Sequence, residues 1–274
     1  MDGWADAFGS DSGVRVYTEV LVPRVFEPWA RLLLGELGVQ PGERVLDVAT
    51  GPGVVARLAA AAVGPSGSVV GCDISPSMLA IARSHPSPEN AAPIDYRECP
   101  ADRLAAADSA FDVVACQQGL QFFPDRLAAL AECRRALRPG GRVGIAVWSR
   151  LEENPPFAAL VTAVGEVLGA DAANRFRGGP WGLDDADELR GLVSGAMFED
   201  VRVVRRTVPV AFEGGPAQVL AVLATSPVAD EVAQLDAGRR EQLAGAADRA
   251  LASLVRDGAV FSELTANVVV ATSP

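Results

Sequence analysis

Hydrophobic and polar positions along the chain follow two rhythms. Residues 14–38, "VRVYTEVLVPRVFEPWARLLLGELG", repeat apolar positions every three or four residues, which predicts a helix broken or kinked at Pro23 and Pro28. Short apolar runs then recur: "RVLDVAT", "VVGCDI", "IDYREC", "FDVVACQQ" and "RVGIAVWS" predict strands. The run "FDVVACQQ" is apolar without alternation, as expected of a strand buried on both faces of a parallel sheet. Helical segments separate these runs. They are residues 53–63, then "SPSMLAIARSH" with Ser75 as N-cap and Pro76 at its first position, then "RLAALAECRRALRPGG" ending in Pro-Gly-Gly.

Strand and helix in turn imply right-handed crossovers and a doubly wound sheet. After Trp148 the rhythm changes. Residues 151–195 are helical and loop-rich, "VRVVRRTVPVAF" predicts a strand, residues 216–257 helices, and "LTANVVVAT" a last strand. The expected fold class is α/β: a Rossmann-like doubly wound sheet of about seven strands. It is expected to be mostly parallel with an antiparallel C-terminal strand, helices on both faces and a helical cap. One domain is expected over residues 1–274: a ligand-binding core at 40–150, a cap at 1–39 and 151–200, and strands and helices at 201–274 that complete the sheet.

Composition narrows the partners. The chain has 274 residues, 49% of them hydrophobic, and a formal net charge of −11. That charge repels a phosphate backbone, so nucleic acid is not an expected partner. No basic n-region with an apolar h-segment opens the chain, and no apolar run reaches the ~18 residues of a membrane span. No membrane association is expected, and a cytoplasmic location is. The four cysteines form no C-x-x-C pair and none is near a histidine, so they read as small buried hydrophobes and no metal site is expected.

The segment "VLDVATGPGVVARLAA" carries the candidate chemistry. An apolar run ends at Asp47, a Gly-rich turn follows, and a helix begins. In an open parallel sheet a ligand lies outside the carboxyl ends of the strands, and Gly51 and Gly53 let the backbone approach it closely. The letters from Gly51 to Ala56 also fit the dinucleotide fingerprint G-x-G-x-x-[G/A], a weak signal by itself. Asp47 weighs against that option. A carboxylate is repelled by a pyrophosphate and attracted by the ammonium or sulfonium of S-adenosylmethionine. Asp73 ends the second strand, 22 residues past Gly51. Its carboxylate can accept both hydroxyls of a ribose, which indicates adenosine without saying which adenosine cofactor. Ile74 and Met78 are placed to sandwich an adenine ring.

The sequence resembles the class I S-adenosylmethionine-dependent methyltransferases, in particular the ubiquinone/menaquinone-biosynthesis type and bacterial natural-product methyltransferases. The resemblance covers roughly residues 15–150 and is carried by "VLDVATGPG", "VVGCDISPSML", "CPADRLAAADSAFDVVACQQGLQFFPD" and "ALRPGGRVGIAVW". It implies S-adenosylmethionine as cofactor. The methionine end would be met by Asp47, Ala49, Thr50, Gly51 and Gly53, the ribose by Asp73, and the adenine by Ile74, Met78, Ala101 and Asp102. Gln117 and Gln118 would lie beside the transferable methyl. Two departures stand out: Ala49 replaces a common glycine, and Cys99-Pro100 replaces a common Gly-Asp before the adenine turn.

Methyl transfer from a sulfonium needs alignment more than a nucleophile. The single histidine, His85 in "RSHPSPEN", reads as a surface residue. Gln121, where relatives often carry histidine, and Tyr17 in the N-terminal helix are the candidates for acceptor positioning. Trp148, Phe157, Phe176, Trp181, Arg175 and Arg177 suit a flat, partly anionic acceptor, or simply pack the cap. "NPPF" at 154–157 follows the fifth strand, not the fourth, and reads as a helix-starting turn without a base-methylating role. The expected function is methyl transfer to a small quinone-like, phenolic or natural-product metabolite in secondary metabolism, by a monomer or homodimer. The alternatives are a cyclase or decarboxylase using the same donor site, an NAD(P)-dependent oxidoreductase, and a non-catalytic binding protein.

Overall fold

The computed structural model describes residues 11–274 and, for side chains, residues 13–274. These fall into two compact units. The sheet unit comprises Glu27–Trp148, Leu183–Arg206 and Ala266–Pro274; the helical unit comprises the described residues up to Phe26, Ser149–Gly182 and Thr207–Thr265.

The described residues open with α1 (Asp11–Val16) and a π-helical stretch, Tyr17–Phe26, that contains Pro23. Helix α2 (Glu27–Leu37) follows directly. The helical run is unbroken here, and its change from π to α geometry at Phe26–Glu27 falls beside Pro28, which has no N–H to give to the preceding turn, in keeping with the expected irregularity at Pro23 and Pro28. Then come β1 (Arg44–Val48), α3 (Val54–Val63), β2 (Ser68–Asp73), α4 (Pro76–Ser84), β3 (Ile94–Glu98) and β4 (Phe111–Gln117). Helix α5 (Arg126–Ala136) is capped by Asp125, which accepts from the Ala128 amide.

Strand β5 spans Leu137–Trp148, so the helix ends at Ala136 and not at Pro-Gly-Gly as expected. Leu137 pairs with Phe111 before a register shift, which draws the Pro-Gly-Gly segment into the start of β5. Gly140 donates to the Ser273 carbonyl at 2.9 Å there. Next are α6 (Pro155–Leu168), α7 (Ala170–Arg177), α8 (Ala186–Gly195), β6 (Glu199–Phe212), α9 (Gly215–Ala221), α10 (Ala229–Ala233) and α11 (Ala237–Leu251). Strands β7 (Val255–Arg256) and β8 (Ala259–Thr272) end the order.

The sheet has eight strands in the order β3-β2-β1-β4-β5-β8-β6, with β7 paired to β8. Strands β1 to β5 pair in parallel, and β8 runs antiparallel to β5 from Arg142↔Thr272 to Trp148↔Ala266. Two-residue alternation puts Leu46, Val48, Val114, Ile145 and Val269 on one face, in a core with Leu130, Leu189 and Val193. The opposite face receives α2, whose Leu37 occupies the space a side chain on Gly144 would need. Trp29 of α2 meets Trp148 edge-on, with ring centroids 5.6 Å apart. The order reverses between β1 and β4, so a ligand crevice is expected at the carboxyl ends of these two strands.

In the helical unit, Asn154 fixes the start of α6. Its Nδ2 donates to the carbonyls of Arg150 at 3.1 Å and Thr265 at 3.2 Å, and its Oδ1 accepts from the Thr265 amide at 3.1 Å. The side chain is fully buried. "NPPF" is therefore a helix-starting turn, with Pro155 at the first position. Asn154→Ala leaves buried backbone groups unmet and is expected to lower the urea unfolding free energy by about 2–3 kcal/mol.

Candidate functional site

The loop after β1 turns left-handed at Ala49, Gly51 and Gly53, with φ of 58°, 53° and 78°. Gly53 is constrained on two counts. Its φ disfavours any side chain, and the Tyr96 hydroxyl and Arg57 Nη1 lie where a Cβ would go. The loop is stitched to β2 by the Thr50 amide, which donates to the Cys72 carbonyl at 2.9 Å.

Asp47 sits beneath this loop and not at its surface, with 1% of its area exposed. Its Oδ2 accepts from Thr50 Oγ1 at 2.5 Å and from the Ala56 amide at 3.0 Å. The second bond serves an N-terminal N–H of α3, whose own N-cap, Gly53, has no side chain. Burial raises the Asp47 pKa to about 7 against the pull of these two bonds, and Asp73 adds repulsion. Its Oδ1 has no partner.

Asp73 joins two loops. Its Oδ2 accepts from the Gly51 amide at 2.7 Å and its Oδ1 from the Ser75 amide at 2.9 Å. Burial raises its pKa, and the Ser75, Gly51 and Ile74 amides oppose the rise. Each oxygen keeps acceptor capacity beyond its one bond. Beside it, Ile74 is 68% exposed, whereas Met78 is buried at the start of α4, where Ser75 Oγ accepts from its amide at 3.3 Å. The predicted adenine pair thus divides into one exposed and one packed side chain. The turn that carries half-buried Ala101 and exposed Asp102 is drawn in by the Cys99 amide, which donates to the Asp73 carbonyl at 3.0 Å.

At the end of β4, Gln117 is half-buried while Gln118 and Gln121 are buried. Gln118 has a left-handed φ of 54°, and its amide donates to the Ala146 carbonyl at 2.8 Å. Gly119 is pressed against Ala49: a Cβ there would lie 2.7 Å from the Ala49 methyl. The Gln117–Gln121 turn therefore adjoins the first loop, and these residues share one sheet end with Asp73.

Tyr17 belongs to the helical unit and stacks on Phe26 at 4.9 Å. In that unit Trp181 lies 5.8 Å from Phe157 and 6.1 Å from Phe176, centroid to centroid. Arg175 and Arg177 pair with Glu231 and Glu152 at the surface. His85 is exposed at the end of α4, with Nδ1 2.8 Å from the Ile81 carbonyl. His85→Ala is expected to leave turnover within about twofold, as for an ordinary surface change. The four cysteines are buried and unbridged, and among the described residues no group of His, Cys, Asp and Glu could hold a metal ion.

Sequence reasoning missed Tyr96. Its ring covers Gly71 of β2 and its hydroxyl reaches the Gly53 position, so it supports the first loop from β3. Its signal was the lack of a side chain at Gly71, directly opposite Tyr96 in the strand register.

A family model described as a methyltransferase domain matches residues 45–141. The chain is 36% identical over 198 residues to the ubiquinone/menaquinone biosynthesis C-methyltransferase UbiE of Ectopseudomonas mendocina, covering 67% of this chain and 75% of that protein. Against the UbiE of Cupriavidus necator it is 37% identical over 130 residues, 46% of this chain and 53% of that protein; here the match spans about half the relative's length. Among solved structures, a Haemonchus contortus phosphoethanolamine N-methyltransferase 2 in complex with S-adenosyl-L-methionine superposes with a TM-score of 0.63 at 19% identity. That match covers 100% of this chain and 60% of the other.

Proposed function

Because the chain belongs to the S-adenosylmethionine-dependent methyltransferases, the family of the UbiE proteins it aligns with, we propose that it methylates a small quinone-like, phenolic or natural-product metabolite. S-adenosylmethionine supplies an electrophilic methyl on a sulfonium, which an electron pair of the acceptor displaces to leave S-adenosylhomocysteine. The observation that carries this reading is Asp73, held by one amide from each of two loops with acceptor capacity left over.

The residues fit this donor. Asp73 accepts the ribose hydroxyls and exposed Ile74 covers an adenine face, with Ala101 and Asp102 beside it and Met78 backing the helix start. The bare backbone at Gly51 and Gly53, with Ala49 and Thr50, admits the methionine end. Asp47 favours its positive charge through the unmet Oδ1. Gln117 and Gln118 line the methyl side. Gln121 positions the acceptor and is not asked to take a proton. The net charge of −11 favours a small molecule over a nucleic acid. Among the described residues no helix is long and apolar enough to cross a membrane. The reading extends to a cytoplasmic monomer or homodimer in secondary metabolism.

The test is incubation of the purified chain with methyl-labelled S-adenosylmethionine and a panel of phenols and quinols. Labelled product with equimolar S-adenosylhomocysteine supports methyl transfer. Acceptor consumed without S-adenosylhomocysteine favours a cyclase or decarboxylase, and tight NAD binding in place of S-adenosylmethionine overturns the donor site.

A further inference from the structure

Gln118 and Gln121 keep only 8% and 4% of their area exposed. Gln121 Nε2 donates to Gln118 Oε1 at 3.2 Å. That bond uses one half of each amide. The other halves, Gln118 Nε2 and Gln121 Oε1, have no partner. Exchanging oxygen and nitrogen in both amides reverses the mutual bond and still leaves one NH2 and one carbonyl unmet. Buried polar groups in folded chains are nearly always paired, so two unmet ends of one bonded couple mark a place for a guest.

The couple is also held in place. The left-handed Gln118 backbone is tied to the Ala146 carbonyl, and the Gly119–Ala49 contact sets the turn against the first loop, beside the β1/β4 reversal. No side chain of the Gln117–Gln121 turn is ionised, and Arg126, which donates to the Gln121 backbone carbonyl at 3.2 Å, is itself paired with Glu188 at 3.2 Å. A carboxylate guest would only accept, and an ammonium guest would only donate, so either leaves one amide unmet. A neutral hydroxyl does both.

On the footing of the methyl-transfer reading above, we propose that Gln118 and Gln121 together form a specificity-determining clamp for a neutral phenolic or enolic hydroxyl of the acceptor. The hydroxyl oxygen accepts from Gln118 and its proton is donated to Gln121. The clamp orients the acceptor and rejects ethers and charged analogues.

The probes are 1-naphthol and 1-methoxynaphthalene, titrated calorimetrically into the chain saturated with S-adenosylhomocysteine. The ether keeps the acceptor oxygen and loses the donor. Naphthol is expected to bind about tenfold more tightly, the usual effect of one buried hydrogen bond. Gln121→Leu is expected to bring the two affinities within about threefold. Gln118→Leu is expected to weaken both probes by similar factors, since each retains the oxygen that Gln118 meets. S-adenosylhomocysteine affinity should stay within about twofold in Gln121→Leu, which also shows that this variant is folded; far-UV circular dichroism matching the unaltered chain shows the same for Gln118→Leu. Equal binding of the probes by the unaltered chain, or a naphthol preference that survives Gln121→Leu, overturns the clamp. So does a tenfold loss of S-adenosylhomocysteine affinity in Gln121→Leu, which would assign Gln121 to the donor. If the unaltered chain does not bind S-adenosylhomocysteine, the donor reading fails and the clamp with it; binding without preference defeats the clamp alone.

Discussion

Asp73→Ala is expected to weaken S-adenosylmethionine binding by about ten- to a hundredfold, measured by calorimetry. Loss of a hydrogen bond to a charged group costs ~1.5–3 kcal/mol, and a factor of ten corresponds to ~1.4 kcal/mol. Two losses combine here. The ribose loses its acceptor, and the Gly51 and Ser75 amides lose theirs, so the two loops are no longer tied to each other. Asp73→Asn separates them: one oxygen and the side-chain volume remain, and an intermediate loss is expected. Wild-type affinity in both variants would show that the second strand's acid takes no part in binding.

The second large effect is a pH dependence set by Asp47. Its folded pKa of about 7 lies above the ordinary 3.8 because the carboxylate is buried. Between those values the folded chain holds a proton that the unfolded chain has released. Stability from this group is therefore complete below pH ~4 and declines as pH rises through ~7. Between pH 5.5 and 8 the expected decline is about 2 kcal/mol by urea unfolding, at 1.36 kcal/mol per pH unit over the interval below 7. Asp47→Asn should remove most of it. The window avoids carboxylates that titrate lower. Burial alone would raise Asp112, yet Arg44 and Arg138 hold it below the usual carboxylate range. Donor binding should run the opposite way. Only the ionised Asp47 attracts a cation, so S-adenosylmethionine affinity should rise as pH passes 7 and flatten in Asp47→Asn. A decline that persists unchanged in the variant would locate the titration elsewhere.

Much of the sheet unit was legible because its signals are local. The apolar runs of β1, β2 and β4, the glycines at 51 and 53, and the Ser75-Pro76 helix start each announce themselves within a few residues. What was hidden depends on partners far along the chain. Pro-Gly-Gly reads as a helix stop, but Leu137 already pairs with Phe111, so β5 begins before it. Strand β7 is two residues long and exists only as a partner of β8. At the site, the sequence places Asp47 beside the first loop, and its bonds run to Thr50 and Ala56. Its burial was not legible, because whether a strand-end carboxylate lies over or under a turn depends on the Thr50 hydroxyl and the Ala56 amide. The unmet amide halves of Gln118 and Gln121 depend on a three-residue bond across a turn that letters alone do not set.

Strand β8 comes last among the described elements yet lies inside the sheet, between β5 and β6. During synthesis on a ribosome, β5 and β6 must emerge and wait with a gap between them. Apolar edges stay open until the residues around Val268–Ala271 arrive to fill it. Until then the open strands are free to pair with other chains, and removing residues 266–272 should yield insoluble protein and not a smaller working one.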